Sequence, residues 1–131
     1  MIVRTLDEIN DTDRDVKGKT WRSRRLLLAD DGMGYSMNDT IIHAGTVTEM
    51  EYKHHLEAVY CVKGEGTVTT CDDDVTYEIR PGTIYALNAH DHHILRAKTD
   101  LHLVCTFNPP LVGPETHGPD GAYPLLTPKD K

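Results

Sequence analysis

Glu57, Tyr85 and His93 carry the side chains that could jointly hold a metal ion, provided the strands bearing them face one another. A β-strand alternates its side chains, so residues two apart share a face. Glu57 then shares its face with Val59 and Cys61, and Tyr85 with Thr83 and Leu87. In the run from His92 to Lys98 the more apolar face holds His93, Leu95 and Ala97, which turns His93 inward. One nitrogen and two oxygens could converge on one cavity, leaving coordination positions open as a catalytic metal requires. Each residue also has an ordinary reading: a glutamate starting a strand in solvent, a tyrosine packed with its hydroxyl wet, a satisfied core histidine.

The elements that must position these residues are short β-branched and aromatic runs from Trp21 onward. They cover Arg25 to Leu28, Thr40 to Val47, Glu57 to Val62, Thr67 to Cys71, Val75 to Ile79, Thr83 to Leu87, His93 to Ala97 and Leu101 to Phe107. That makes about eight strands, and a sandwich or barrel follows. Turn residues separate them at Lys63 to Gly66, Asp72 to Asp74, Arg80 to Gly82 and Asn88 to Asp91. The triplet Asp72 to Asp74 reads as a solvated loop. Thr5-Leu6-Asp7-Glu8 has the form of a capping box and predicts a short N-terminal helix before a loop-like stretch from Asn10 to Thr20. From Asn108 the chain becomes Pro- and Gly-rich, which predicts a flexible tail with little core of its own.

A chain of 131 residues fits one domain. Its net charge of −7, with no basic stripe, disfavours nucleic acid as a partner and suits a small neutral or zwitterionic molecule. Cys61, Cys71 and Cys105 make an odd number with no C-x-x-C pair, which predicts a reducing cytoplasm rather than a disulfide framework. No apolar leader or bilayer-length run points to a membrane.

Glu57-Ala-Val-Tyr-Cys-Val-Lys-Gly64-Glu-Gly66 resembles the end of the first cupin motif, and Arg80-Pro81-Gly82-Thr83-Ile84-Tyr85 resembles the second. Both are edited. Adjacent His54-His55 replaces the usual H-x-H, and Tyr85 stands where a metal-binding histidine is usual. The resemblance narrows with Thr20 to Arg25, Asn38 to Thr40, Glu51 to Cys61, Tyr85 to Asn88 with Asp91 to His93, Cys105 to Pro110, and Gly113 to His117. From Met1 to about Pro128 the chain resembles the ectoine synthase family.

That resemblance implies an all-β, single-domain cupin or small jelly-roll-like barrel. Its core would run from about residue 21 to 110 and a lid-like tail from about 111 to 131. It implies a hydro-lyase that cyclises N-γ-acetyl-L-2,4-diaminobutyrate to ectoine, a compatible solute made under osmotic stress, in a homodimer. Iron(II), with other divalent transition metals as alternatives, would be held by Glu57, Tyr85 and His93. Trp21, Arg25, Asn38, Thr40, Cys105 and Phe107 would bind substrate, with Tyr52, His55, Glu115 and His117 near the chemistry. An iron dioxygenase and a non-catalytic cupin sensor are the rival readings. The first lacks the usual two-histidine, one-carboxylate set, and the second lacks a helix-turn-helix stretch.

Overall fold

A computed structural model describes residues 1–127. One four-residue helix, α1 (Leu6–Ile9), begins at the predicted capping box. Glu8 N–H donates to Thr5 Oγ1 at 3.3 Å, and Thr5 N–H donates to Glu8 Oε2 at 3.2 Å. Ten strands follow: β1 (Asp15–Lys17), β2 (Trp21–Leu27), β3 (Ser36–Ile42), β4 (Val47–Glu51), β5 (Leu56–Lys63), β6 (Gly66–Thr70), β7 (Val75–Ile79), β8 (Ile84–Leu87), β9 (His92–Ala97) and β10 (Leu101–Asn108).

The strands form two antiparallel sheets, β1-β2-β3-β10-β5-β8 and β4-β9-β6-β7. The fold is the expected all-β cupin barrel. Strict alternation builds it: Leu101, Leu103, Cys105 and Phe107 of β10 are buried, while His102, Val104 and Thr106 between them are only partly so. On β2 the inward set is Trp21, Ser23 and Arg25, and on β3 it is Ser36, Asn38, Thr40 and Ile42. Pairing places Arg25 beside Asn38, Asn38 beside Cys105, Cys105 beside Val59, and Val59 beside Tyr85. Polar residues from five strands thereby share one inner face.

Two strand assignments needed correction. The run Thr40 to Val47 is broken, because β3 ends at Ile42 and a turn through Gly45 (φ +76°) intervenes before β4. Asp15–Lys17, expected as loop, pairs with β2 through Val16 opposite Ser23. Its three residues are too few for periodicity to reveal. Edge pairing supplied by β2 makes it a strand.

The tail carries no regular element among its described residues, yet it does hold core. Leu111, Val112, Glu115, Ala122 and Tyr123 are all buried. Ala29 N–H donates to Leu111 O at 2.8 Å, and Glu51 N–H donates to Gly121 O at 3.2 Å. The segment from Leu111 to Tyr123 is therefore tied down by its own apolar side chains and backbone bonds, contrary to the expectation of little core. Residues 128–131 of the predicted tail lie outside the described residues.

The Gly64-Glu65-Gly66 turn crosses close under the β9–β10 connection. A Cβ on Gly64 (φ +99°) would meet Asp100 O at 2.1 Å, whereas one on Gly82 (φ +93°) would meet nothing within 4 Å. Gly82→Ala should cost only the left-handed backbone penalty, about 1–2 kcal/mol. Gly64→Ala adds a backbone clash and should cost clearly more by denaturant unfolding. Equal losses for the two variants would remove the close-approach explanation.

Candidate active site

The barrel interior holds a narrow cavity lined by nine of the expected residues: Trp21, Asn38, Thr40, Tyr52, Glu57, Tyr85, Cys105, Phe107 and His117. Met50, Leu95, Leu103 and Tyr123 complete much of the apolar wall. Arg25, His55, His93 and Glu115 do not line it, but each is at most 1% exposed. They form the buried layer behind.

Glu57 and Tyr85 come from adjacent strands β5 and β8, two residues out of register and so on one face, and His93 comes from the opposing sheet beside Met50. Burial pushes the Glu57 carboxyl up to about 8. Burial, and then the neighbouring Glu57, pushes the Tyr85 phenol well above its ordinary value. Burial lowers the His93 imidazole. Its Nδ1 lies 2.9 Å from Asp91 O, which orients the ring, while Nε2 is buried without a protein partner. A ring held by one nitrogen with the other free is how metal-binding histidines are set. The donor set of carboxylate, phenol and imidazole suits a divalent transition metal.

Arg25 holds the tail. Its Nη1 donates to Gly113 O at 2.6 Å and lies 3.8 Å from Glu115 Oε1, and its guanidinium sits 5.4 Å from the centre of the Tyr123 ring. Glu115 accepts from Val112 N–H at 2.6 Å and from Gly113 N–H at 2.8 Å. Both carboxylate oxygens are thus engaged by backbone. Glu115, expected near the chemistry, holds the Val112-Gly113 backbone beside Arg25.

Above the cavity, Tyr52 Oη and His117 Nε2 share a 2.7 Å hydrogen bond. The Tyr123 ring lies 4.7 Å from His117, 5.0 Å from Tyr52, 5.4 Å from Phe107 and 6.4 Å from Trp21, centre to centre. Sequence reading missed Tyr123. An isolated tyrosine in a Pro/Gly-rich segment gives no periodic signal, and only its place in the fold sets it among the rings lining the cavity.

Among the described residues, five buried side-chain nitrogen or oxygen atoms have no protein hydrogen-bond partner. Four of them, Arg25 Nη2, Asn38 Oδ1, His55 Nδ1 and His93 Nε2, belong to residues expected in the site. An unsatisfied buried polar atom costs about 1–3 kcal/mol, so such a concentration marks a place built for something else to bind.

The family model described as ectoine synthase matches residues 1–127. This chain belongs to the ectoine synthase family. It is 59% identical over 128 residues to an L-ectoine synthase of Desulfatibacillum aliphaticivorans, covering 96% of this chain and 98% of that one. An L-ectoine synthase of Halalkalibacterium halodurans is 56% identical over 126 residues, with the same coverage of each. The crystal structure of ectoine synthase from P. lautus superposes with a TM-score of 0.87 at 55% identity, covering 98% of this chain and 92% of that one. KdgF from Halomonas, at 17% identity and a TM-score of 0.61, shares the fold alone. Membership in the ectoine synthase family makes the chain an enzyme of the hydro-lyase class.

Burial, then the charge of Arg25, lowers His117 to about 4. Its folded value lies below the unfolded value near 6.5, so the unfolded chain takes the proton first as pH falls. The stability concerned is present above about pH 6.5 and lost as pH falls through about 4. In metal-free protein the loss should be on the order of 1–3 kcal/mol, and His117→Gln should flatten the profile over that window. Denaturant unfolding at stepped pH would check it. Parallel profiles for the two proteins would show that His117 is not held neutral by burial.

Proposed function

We propose that this enzyme cyclises N-γ-acetyl-L-2,4-diaminobutyrate to ectoine with loss of one water, using a divalent metal, iron(II) first among candidates, held by Glu57, Tyr85 and His93. The observation that supports this reading most strongly is the gathering of four unpartnered buried polar atoms at one cavity, Asn38 on its lining and Arg25, His93 and His55 packed against the lining rings of Tyr123, Tyr52 and Phe107. In the reaction the substrate's α-amine forms a bond to its own acetamide carbonyl carbon. The former carbonyl oxygen then leaves with two protons as water.

A metal bound there supplies Lewis-acid polarisation of the carbonyl. The chain's own residues do the rest. Arg25 Nη2 is free to pair with the substrate carboxylate, a contact that the planar guanidinium favours. Asn38 and Thr40, two apart on β3 and both buried, offer hydrogen bonds to polar substrate atoms. Trp21 and Phe107 give the ring-forming chain a flat apolar wall, and Cys105, whose thiol burial and Glu57 push well up, stays an uncharged neighbour. His117, paired with Tyr52, and His55, with Nδ1 unpartnered, are the neutral imidazoles suited to moving protons.

Read as one cupin domain, the described tail residues from Leu111 to Thr127 cover the barrel of about 21–110 and keep water from a dehydration. A homodimer is supported by an apolar patch on the outside of β5 and β8, where Leu56, Tyr60, Val62 and Ile84 are 37–66% exposed. Tyr60 and Ile84 pair directly across the two strands. The free cysteines suit a cytoplasmic site of action. The product would serve as a compatible solute under osmotic stress. No described helix is long and apolar enough to cross a membrane.

Metal-loaded protein incubated with N-γ-acetyl-L-2,4-diaminobutyrate should give a product lighter by one water, without oxygen consumption. Chelation should abolish turnover and leave the barrel folded; an unchanged rate in chelated protein would refute metal dependence. Tyr85→Phe keeps the ring's packing but removes one proposed ligand. It should weaken metal affinity or activity by at least about 10- to 100-fold, the loss typical of a mere supporting group. Normal metal content and turnover in that variant would exclude Tyr85 as a ligand.

A further inference from the structure

On the outside of the four-stranded sheet, three strands bring together a glutamate, a cysteine and a histidine that the cyclisation does not use. Glu49 lies on β4, His92 begins β9, and Cys71 follows the last residue of β6. One ligand atom from each lies within 4.8 Å of the other two, and His92 Nε2 is 3.6 Å from Glu49 Oε2. We propose that Glu49, Cys71 and His92 form a second, exterior metal site, selective for a zinc-like divalent ion.

The sheet itself sets the spacing. Cys71 N–H donates to His92 O at 2.9 Å, and Glu49 pairs with Ile94, two residues along β9 from His92. Zinc takes sulfur at about 2.3 Å and nitrogen or oxygen at about 2.0–2.2 Å, so its ligand atoms stand about 3.3–3.8 Å apart. The 3.6 Å between His92 Nε2 and Glu49 Oε2 already falls in that range, and all three ligand atoms lie within 4.8 Å of one another. A thiolate with an imidazole and a carboxylate is a borderline-soft set, which favours zinc over calcium or magnesium. The local field also favours a cation, because the carboxylates of Glu49, Asp72 and Asp74 act on the Cys71 position. Arg96 opposes them, but its Nη1 is directed to Thr69 Oγ1 at 3.1 Å.

The site is partly exposed, with the His92 side chain 37% and the Glu49 side chain 63% accessible, so an ion can enter without opening the barrel. Three protein ligands leave a fourth position for water. The two sites are distinct in residues and in face, because His92 and His93 are successive on one strand and point to opposite sides of the sheet.

Cobalt(II) reports the site directly, since a cobalt–thiolate bond gives a near-ultraviolet charge-transfer band that carboxylate, phenol and imidazole ligands do not. Reduced, metal-free protein should develop this band on cobalt addition and lose it when zinc is added. Cys71→Ser should abolish the band while turnover of the iron-loaded enzyme stays normal. Glu49→Gln and His92→Asn, both at accessible positions, should weaken cobalt binding at least about 10-fold. The band should persist in Cys105→Ser and in His93→Ala, which separates this site from the interior one. Absence of the band in the unaltered protein, or its survival in Cys71→Ser, would overturn the proposal.

Discussion

The buried contact between Arg25 and Glu115 sets the conditions for everything inside the barrel. Both side chains are at most 1% exposed, 3.8 Å apart, and each carries further hydrogen bonds to or from the Val112-Gly113 backbone. A buried charge left alone is strongly destabilising, so each member requires the other. Because one sits on β2 and the other in the tail, satisfying the charges draws the tail across the barrel mouth. Tyr123 and His117 are thereby set over Trp21 and Tyr52. An arginine inside a β-barrel would otherwise have little reason to be there.

Burial around the cavity biases protonation. Glu57, Tyr85, Tyr52 and Cys105 are all pushed up, chiefly by burial, while His55, His93 and His117 are pushed down by the same cause. Near neutral pH these seven groups thus favour their uncharged forms before any metal or substrate arrives. Such an interior suits a reaction that begins with a neutral amine and ends by expelling water. It also makes a carboxylate and an imidazole receptive to a cation, because binding one relieves the cost of ionising Glu57 in a dry site.

How much of this could be read from the chain depends on where the signal lay. Glu57, Tyr85 and His93 were placed inward by alternation with apolar neighbours, and the structure turns each inward. Trp21, Asn38 and Thr40 gained their significance only from family resemblance, since a tryptophan or a threonine on a strand is ordinarily core or sheet surface. Tyr123 was invisible. Its importance arises from five ring contacts made after the tail folds back, and no local pattern in Gly121-Ala122-Tyr123-Pro124 encodes them. The core held by the segment from Leu111 to Tyr123 was not legible because Pro and Gly content reports the absence of regular structure, whereas Leu111 and Val112 bury their side chains without any.

The pair His92-His93 shows how one period-2 strand can serve two environments. His93 faces a dry interior where its neutral form is favoured, and one residue earlier His92 faces solvent beside Glu49 and Cys71. A shift of register by one residue would exchange them, placing His92 in the core and His93 outside. Register is held on both sides of β9, by Met50 opposite His93 on β4 and by Thr70 opposite His93 on β6. The same backbone hydrogen bonds that turn His93 inward therefore turn His92 outward. Both the interior donor set and the exterior triad depend on that single alignment.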